Sequence, residues 1–394
     1  MKRKELARSS IQQVICIFVL LLFVFLTIAS TDQETHKNSA ASSEISEGWI
    51  DENGQAVDLY DLAAGSHSVT LDISELDTDG KAICFKTIDT TFKAYASDEL
   101  IYDYNPELPK KLGISYGMQY HNIAIPEGTS SLRLDLKPVF ANTAAGIRDI
   151  AIDDEGQYMT NVFKRNLFSF GQGTITIVIG LLFVIAGVTG QIVMKSTGLD
   201  FVSFGITCVI VGFVGYNDTL LLQVMTGRPE LIRVVEYMCL VFLPLPALSF
   251  FASTTGDSHS KLLTGMFAVC LSNFCLQVWL TQSGISDYYY LVYISQLIII
   301  ITFVLASVIV VRAIRLGRIK QTLLRSVVWG LCACVLGAVI DLIRYYFFHS
   351  YGDLTFTRMG VLVYFFIRSI SQCINNCFNI LFITNLIFFF IKSI

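Results

Sequence analysis

The chain has 394 residues, 53% of them hydrophobic and only 15% charged, with a net charge of −4. Ordinary soluble domains carry roughly 25% charged residues, so this composition excludes a single large water-soluble protein and makes the lipid bilayer part of the solvent. It also supplies no basic surface of the kind that neutralises phosphates, which argues against nucleic acid as a partner.

Lys2, Arg3, Lys4 and Arg8 precede an apolar run from Val14 to Ile28. This charge order holds the N-terminus in the cytoplasm and exports the chain beyond the run, so residues 1–29 read as a transmembrane anchor or a signal peptide. Residues 30–47 are polar and patternless, a solvated linker.

From residue 48 to about 160 the texture changes to short alternating runs. Val69, Leu71 and Ile73 share one face, as do Leu132, Leu134 and Leu136, the period-2 signature of half-buried strands. Further strands are expected at Ala82–Thr87, Thr91–Ala96, Leu100–Tyr104, His121–Ile125 and Gly146–Ile152, punctuated by Asp79-Gly80, Asn105-Pro106 and Pro126-Glu127-Gly128. Turns at this spacing point to an antiparallel, jelly-roll-like β-sandwich. Cys84 is its only cysteine, which rules out a disulfide framework inside the module.

Residues 161–394 turn to long apolar stretches. Spans are expected near 174–194, 200–222, 233–252, 263–281, 290–311, 325–347 and 359–380, a membrane α-helical bundle of about seven crossings. With the sandwich outside, the loops holding Lys195, Lys261 and the cluster Arg312, Arg315, Arg318, Lys320 and Arg325 are cytoplasmic, as is the C-terminus. That excess of inward positive charge agrees with the orientation set by the first helix.

No catalytic signature is found: there is no phosphate-cradling loop, zinc motif or nucleophile elbow, and no cofactor or metal is expected. Polar residues within the bundle carry more information, because placing them in lipid costs a few kcal/mol and calls for partners. Asp218, Arg233, Glu236, Asp341 and Arg344 fall in the outer third of their helices, with Asn217, Gln277 and Gln296, and Arg368 lies near mid-membrane. These residues either glue helices together or line an outward-facing cavity that receives a ligand or the docked sandwich. Asp341 and Arg344 stand three apart and can pair on one helical face. Pro244 and Pro246 interrupt the third span, as a hinge or a tolerated kink. On the sandwich, Tyr102, Tyr104, Tyr116, Tyr120 and His121 concentrate aromatic faces with polar tips, suited to a sugar or another small polar ligand, although each could equally serve the core. The loop from Asn105 to Gly117 is the expected rim.

The order anchor, sandwich, seven spans, taken with Phe85-Lys86, Phe92-Lys93-Ala94-Tyr95, Leu100-Ile101-Tyr102-Asp103-Tyr104 and His121-Asn122-Ile123-Ala124-Ile125-Pro126, resembles bacterial seven-transmembrane receptors with diverse intracellular signalling modules. The resemblance implies a jelly-roll module outside the cytoplasm that senses a carbohydrate-like ligand, and helices that relay occupancy to a cytoplasmic output. The sequence contains no Gly-Gly-Asp-Glu-Phe cyclase signature, so cyclase activity does not carry over. The expected output is then a separate cytoplasmic signalling partner or a lost domain, with a second copy of the chain as a further candidate partner. A transporter or membrane-embedded enzyme using the outer polar layer is the alternative, as is a truncated, non-signalling receptor remnant.

Overall fold

The structure, a computed structural model, describes residues 45, 47–106, 113–140, 143–194, 199–216, 222, 226–255, 261–317, 321–347 and 356–364. The expected anchor, nearly all of the linker, Asp218 and Arg368 lie outside the described residues.

Eight strands form the N-terminal module: β1 (Trp49–Asp51), β2 (His67–Asp72), β3 (Ala82–Ile88), β4 (Thr90–Ala96), β5 (Glu99–Tyr104), β6 (Met118–Ala124), β7 (Ser131–Pro138) and β8 (Gly146–Asp153). Each of the seven expected strands is present, and β1 is an addition. They build two antiparallel sheets, one in the order β1-β2-β7-β4-β5 and the other β6-β3-β8. The connections β2–β3, β3–β4, β5–β6, β6–β7 and β7–β8 cross between the sheets, whereas β1–β2 and β4–β5 join neighbours within one. Alternation along the strands supplies the shared core: Val69, Leu71, Phe92, Ala94, Leu132, Leu134 and Leu136 from one sheet meet Ile83, Phe85, Ile123, Ile147 and Ile150 from the other. Burying each large apolar side chain contributes roughly 1.5–3 kcal/mol, so this set drives the module's collapse.

Strand β3 is buried on both faces, which simple alternation does not anticipate. Its outer side, with Cys84, Tyr120 and Ala151, is covered by Tyr158 and Val162. Those two residues belong to the first turns of α1 (Glu155–Met194), a 40-residue helix. Only Asp154 separates β8 from this helix, and at 1.5 Å per residue it runs about 60 Å from beneath the sheet into the helical region.

The remaining helices are α2 (Leu199–Val214), α3 (Pro229–Phe242), α4 (Pro244–Thr255), α5 (Lys261–Gln282), α6 (Tyr288–Arg315) and α7 (Gln321–Phe347), with a further helical segment over 356–364. Among the described residues four helices are long and apolar enough to cross a membrane: Ser169–Thr189, Pro229–Ser253, Lys261–Gln282 and Tyr288–Arg315. Seven crossings are expected from the sequence, and four of them have helices of this length and apolarity among the described residues. The 16 residues of α2 reach about 24 Å against a hydrocarbon core of about 30 Å. Farther on, the apolar stretch of α7 is confined to Val328–Asp341, and the last expected span lies largely outside the described residues.

Exposed apolar stripes mark the outward faces. On α6, Tyr293, Leu297, Ile300, Val304, Val308 and Val311 recur every three or four residues and are each more than 40% exposed. Such a face has no stable place in water, and lipid is its natural cover. Inside, the helices meet through glycine. A Cβ at Gly205 would lie 2.5 Å from the Gly180 carbonyl oxygen, and one at Gly212 would lie 3.0 Å from that of Gly173. The antiparallel backbones of α1 and α2 therefore touch two turns apart, the close approach small residues permit in membrane helices. A second crossing of this kind joins α7 to 356–364, where Gly337 faces the Phe356 carbonyl and Gly360 faces that of Ala333. The expected interruption at Pro244 divides the third span into α3 and α4 at Leu243, because proline has no N–H to continue the ladder.

Candidate functional site

One end of the sandwich is seated on the N-terminal ends of α3 and α6. Asp89 organises the module's side. It occupies the tight turn between β3 and β4 with φ +45°, and its Oδ1 accepts hydrogen bonds from Ser115 Oγ at 2.5 Å and the Gly117 N–H at 3.0 Å. Its own N–H donates to the Gly117 carbonyl, and its carbonyl accepts from Val139 N. Three loops are thereby tied to one residue. Burial pushes the Asp89 carboxyl above the usual carboxylate range, opposed by the Arg233 charge, Ser115 and the Gly117 N–H.

Arg233 and Glu236 belong to α3, where they form an ion pair at 2.8 Å with Glu236 almost fully buried. The guanidinium also lies 4.7 Å over the Tyr237 ring, a cation–π contact strengthened by exclusion from water. Gly117, at φ +74°, packs so closely on this helix that a Cβ there would stand 2.7 Å from the Pro229 carbonyl oxygen. Next to it, Asp287 caps α6 by accepting from Tyr289 N at 2.9 Å and accepts from the Ile114 N–H at 2.8 Å. Phe140, buried after β7, stacks on Tyr289 at 4.0 Å and 12°. The seam thus combines charge, backbone hydrogen bonds and an aromatic stack across both helix ends.

The aromatic candidates divide. Tyr102, Tyr104 and His121 gather around Phe92, with His121 centred 4.6 Å from Tyr104 and 4.7 Å from Phe92, and Tyr116 lies 6.2 Å from Tyr104. The Tyr104 hydroxyl donates to Gln119 Oε1 at 2.6 Å. Burial raises the pKa of Tyr104, as it does that of Tyr116. His121 is buried beside Thr87 Oγ1 at 2.8 Å, and desolvation lowers its pKa to about 3, leaving a neutral ring. Tyr120 faces the other way, against Tyr158 and Val162 beneath α1. On the outer side of the larger sheet, an open depression of about 890 Å³ is lined by Lys93, Asp103, Tyr104, Tyr116, Arg133 and Asp135, among others. Tyr104 and Tyr116 reach it; Tyr102, Tyr120 and His121 are not among its lining residues. Lys93 and Asp103 pair at 3.4 Å, and Arg133 and Asp135 at 3.5 Å, so opposite charges alternate across its floor.

The bundle candidates also separate. Asp341 accepts from Phe356 N, Thr357 N and Thr357 Oγ1, holding the start of the helical segment at 356–364, while Arg344 lies 5.1 Å over the Phe356 ring. Both are distant in sequence from the Arg233–Glu236 pair. Hydropathy alone assigns Arg358 to an outer loop. Instead it is fully buried, donates to Ser169 O and Oγ, and fills space left by Gly215.

The four long apolar helices and the two-sheet module define a membrane protein with a folded β-domain. No family model, curated protein or solved structure matches the chain.

Proposed function

We propose that the chain is a receptor-like sensor: the β-sandwich, outside the cytoplasm, takes up a small polar ligand, and the helices relay its occupancy to a cytoplasmic partner. The observation that carries this reading is the seam. Asp89 ties the loop bearing Tyr116 to the turn that meets Arg233, and Tyr104 and Tyr116 line the depression beside it. A ligand there would bear on residues one or two contacts from α3 and α6. Relay requires that the ligand bind two arrangements of the seam with different affinity. The charge order of the first segment supports the orientation. Seven crossings are supported by apolar helices at Phe201–Val214 and Val328–Asp341 and by the helical segment at 356–364, where three of the spans are expected. The family resemblance implies the same arrangement and a carbohydrate-like ligand.

The test is hydrogen exchange on the full chain in lipid nanodiscs against a panel of mono- and oligosaccharides that raise its Tm. A sensing ligand protects 103–105 and 115–117 and also changes exchange at 229–237 and 287–291. Protection confined to the sandwich, or ligand-dependent flux in proteoliposomes, would count against the reading.

A further inference from the structure

Next to α6, the end of the sandwich loop, Gly113-Ile114-Ser115-Tyr116-Gly117, is uncharged, after Glu107, Lys110 and Lys111 earlier in the loop. So is the turn it adjoins, Ser283-Gly284-Ile285-Ser286, up to the capping Asp287. Each exposes one isoleucine, Ile114 by 47% and Ile285 by 65%. Single exposed apolar residues are ordinary on protein surfaces and carry no message alone. Their position does carry one. Ile114 is joined through its N–H to Asp287, one residue before α6 begins, and the lipid-facing stripes of α5 and α6 end just below in Trp279, Tyr293 and Tyr290, all between 46% and 59% exposed. Tryptophan and tyrosine at the ends of spans settle at headgroup level. The depth agrees: α6 has 28 residues, about 42 Å, and so outreaches the roughly 30 Å hydrocarbon core by several ångströms at each end.

We infer that Ile114 and Ile285 form an apolar tip immersed in the headgroup layer, so that phospholipid is the partner of this edge of the sandwich. Between Trp279 and Tyr293, where the lipid-facing stripes reach this surface, the one charged residue, Asp287, is buried, which is why lipid rather than a protein partner fits it. This inference rests on the membrane placement of α5 and α6 and not on a sensing role.

The test uses the full chain in phosphatidylcholine nanodiscs, with Ile114→Trp and Ile285→Trp read separately as the emission added to the wild-type tryptophans. The expected result is blue-shifted added emission, largely lost when the lipid carries a nitroxide near the headgroup, less affected by one deep in the acyl chain, and resistant to aqueous iodide. Should Ile114→Trp not fold, Ile285→Trp reports on the same tip. Strong iodide quenching without lipid quenching overturns the inference, as does protection that appears only with two copies per disc, which would mark a contact between chains.

Discussion

Asp287 holds two parts of the molecule with its two oxygens: Oδ1 accepts from Tyr289 N within α6, and Oδ2 accepts from Ile114 N in the sandwich, 173 residues away in sequence. A helix cap is ordinarily a local device. Here the cap also fixes where the β-module sits.

Replacing this carboxylate with Ala therefore removes a cap and a charge-assisted hydrogen bond together. Asp287→Ala is expected to cost about 2 kcal/mol and to raise amide exchange at Ile114 and at 288–290. Asp287→Asn, which retains an oxygen for the cap, is expected to lose less. Equal losses in the two variants would show that the carboxylate charge, not the cap, dominates.

Gly117 and Gly80 both have positive φ, but only Gly117 has a backbone carbonyl in the way of a Cβ. Gly80→Ala should cost about 1 kcal/mol, the conformational term alone. Gly117→Ala should cost more and should alter exchange at 229–233, since Pro229 must retreat. Thermal melts of the two variants in the same lipid make the comparison.

The neutral, buried His121 links stability to pH. Its pKa falls from 6.5 to about 3 on folding, so below pH 6.5 the unfolded chain takes up a proton that the folded one refuses. Its stabilising contribution is complete above pH 6.5 and is lost as pH falls toward 3. At about 1.4 kcal/mol per pH unit, the loss by pH 5 is roughly 2 kcal/mol. A pH series of unfolding measurements should show this slope in the wild type and a shallower one in His121→Gln.

Gly205 and Gly265 both lie within helices, in different surroundings. A Cβ at Gly205 meets the Gly180 carbonyl, whereas one at Gly265 meets nothing within 4 Å. Gly265→Ala should be neutral or stabilising by up to about 1 kcal/mol. Gly205→Ala forces α1 and α2 apart and should lower the yield of folded protein, as read by size-exclusion chromatography in detergent.

Much of the sandwich was legible because period-2 alternation is local and strong: Val69/Leu71 and Leu132/Leu134/Leu136 identify their own inward faces. Strand β1, three residues long, carries too short a pattern to register. The same alternation separates Tyr120 from His121, since neighbours in a strand point to opposite faces. Of the seam, Arg233 and Glu236 were legible as polar residues in an apolar helix, but the sandwich side was not. It joins Asp89 to Ser115 and Gly117, and Ile114 to Asp287, through turns whose sequences say nothing of a partner so distant. Nor could hydropathy find Arg358, whose burial depends on space beside Gly215 in another helix.

The absence of a flexible joint between β8 and α1 has a mechanical consequence. With Tyr158 and Val162 locked beneath the smaller sheet, the module and its first helix tilt together as a tiller and its shaft. Over a shaft of about 60 Å, a lean of about 5° at the head sweeps the opposite tip through about 5 Å, close to one helical turn.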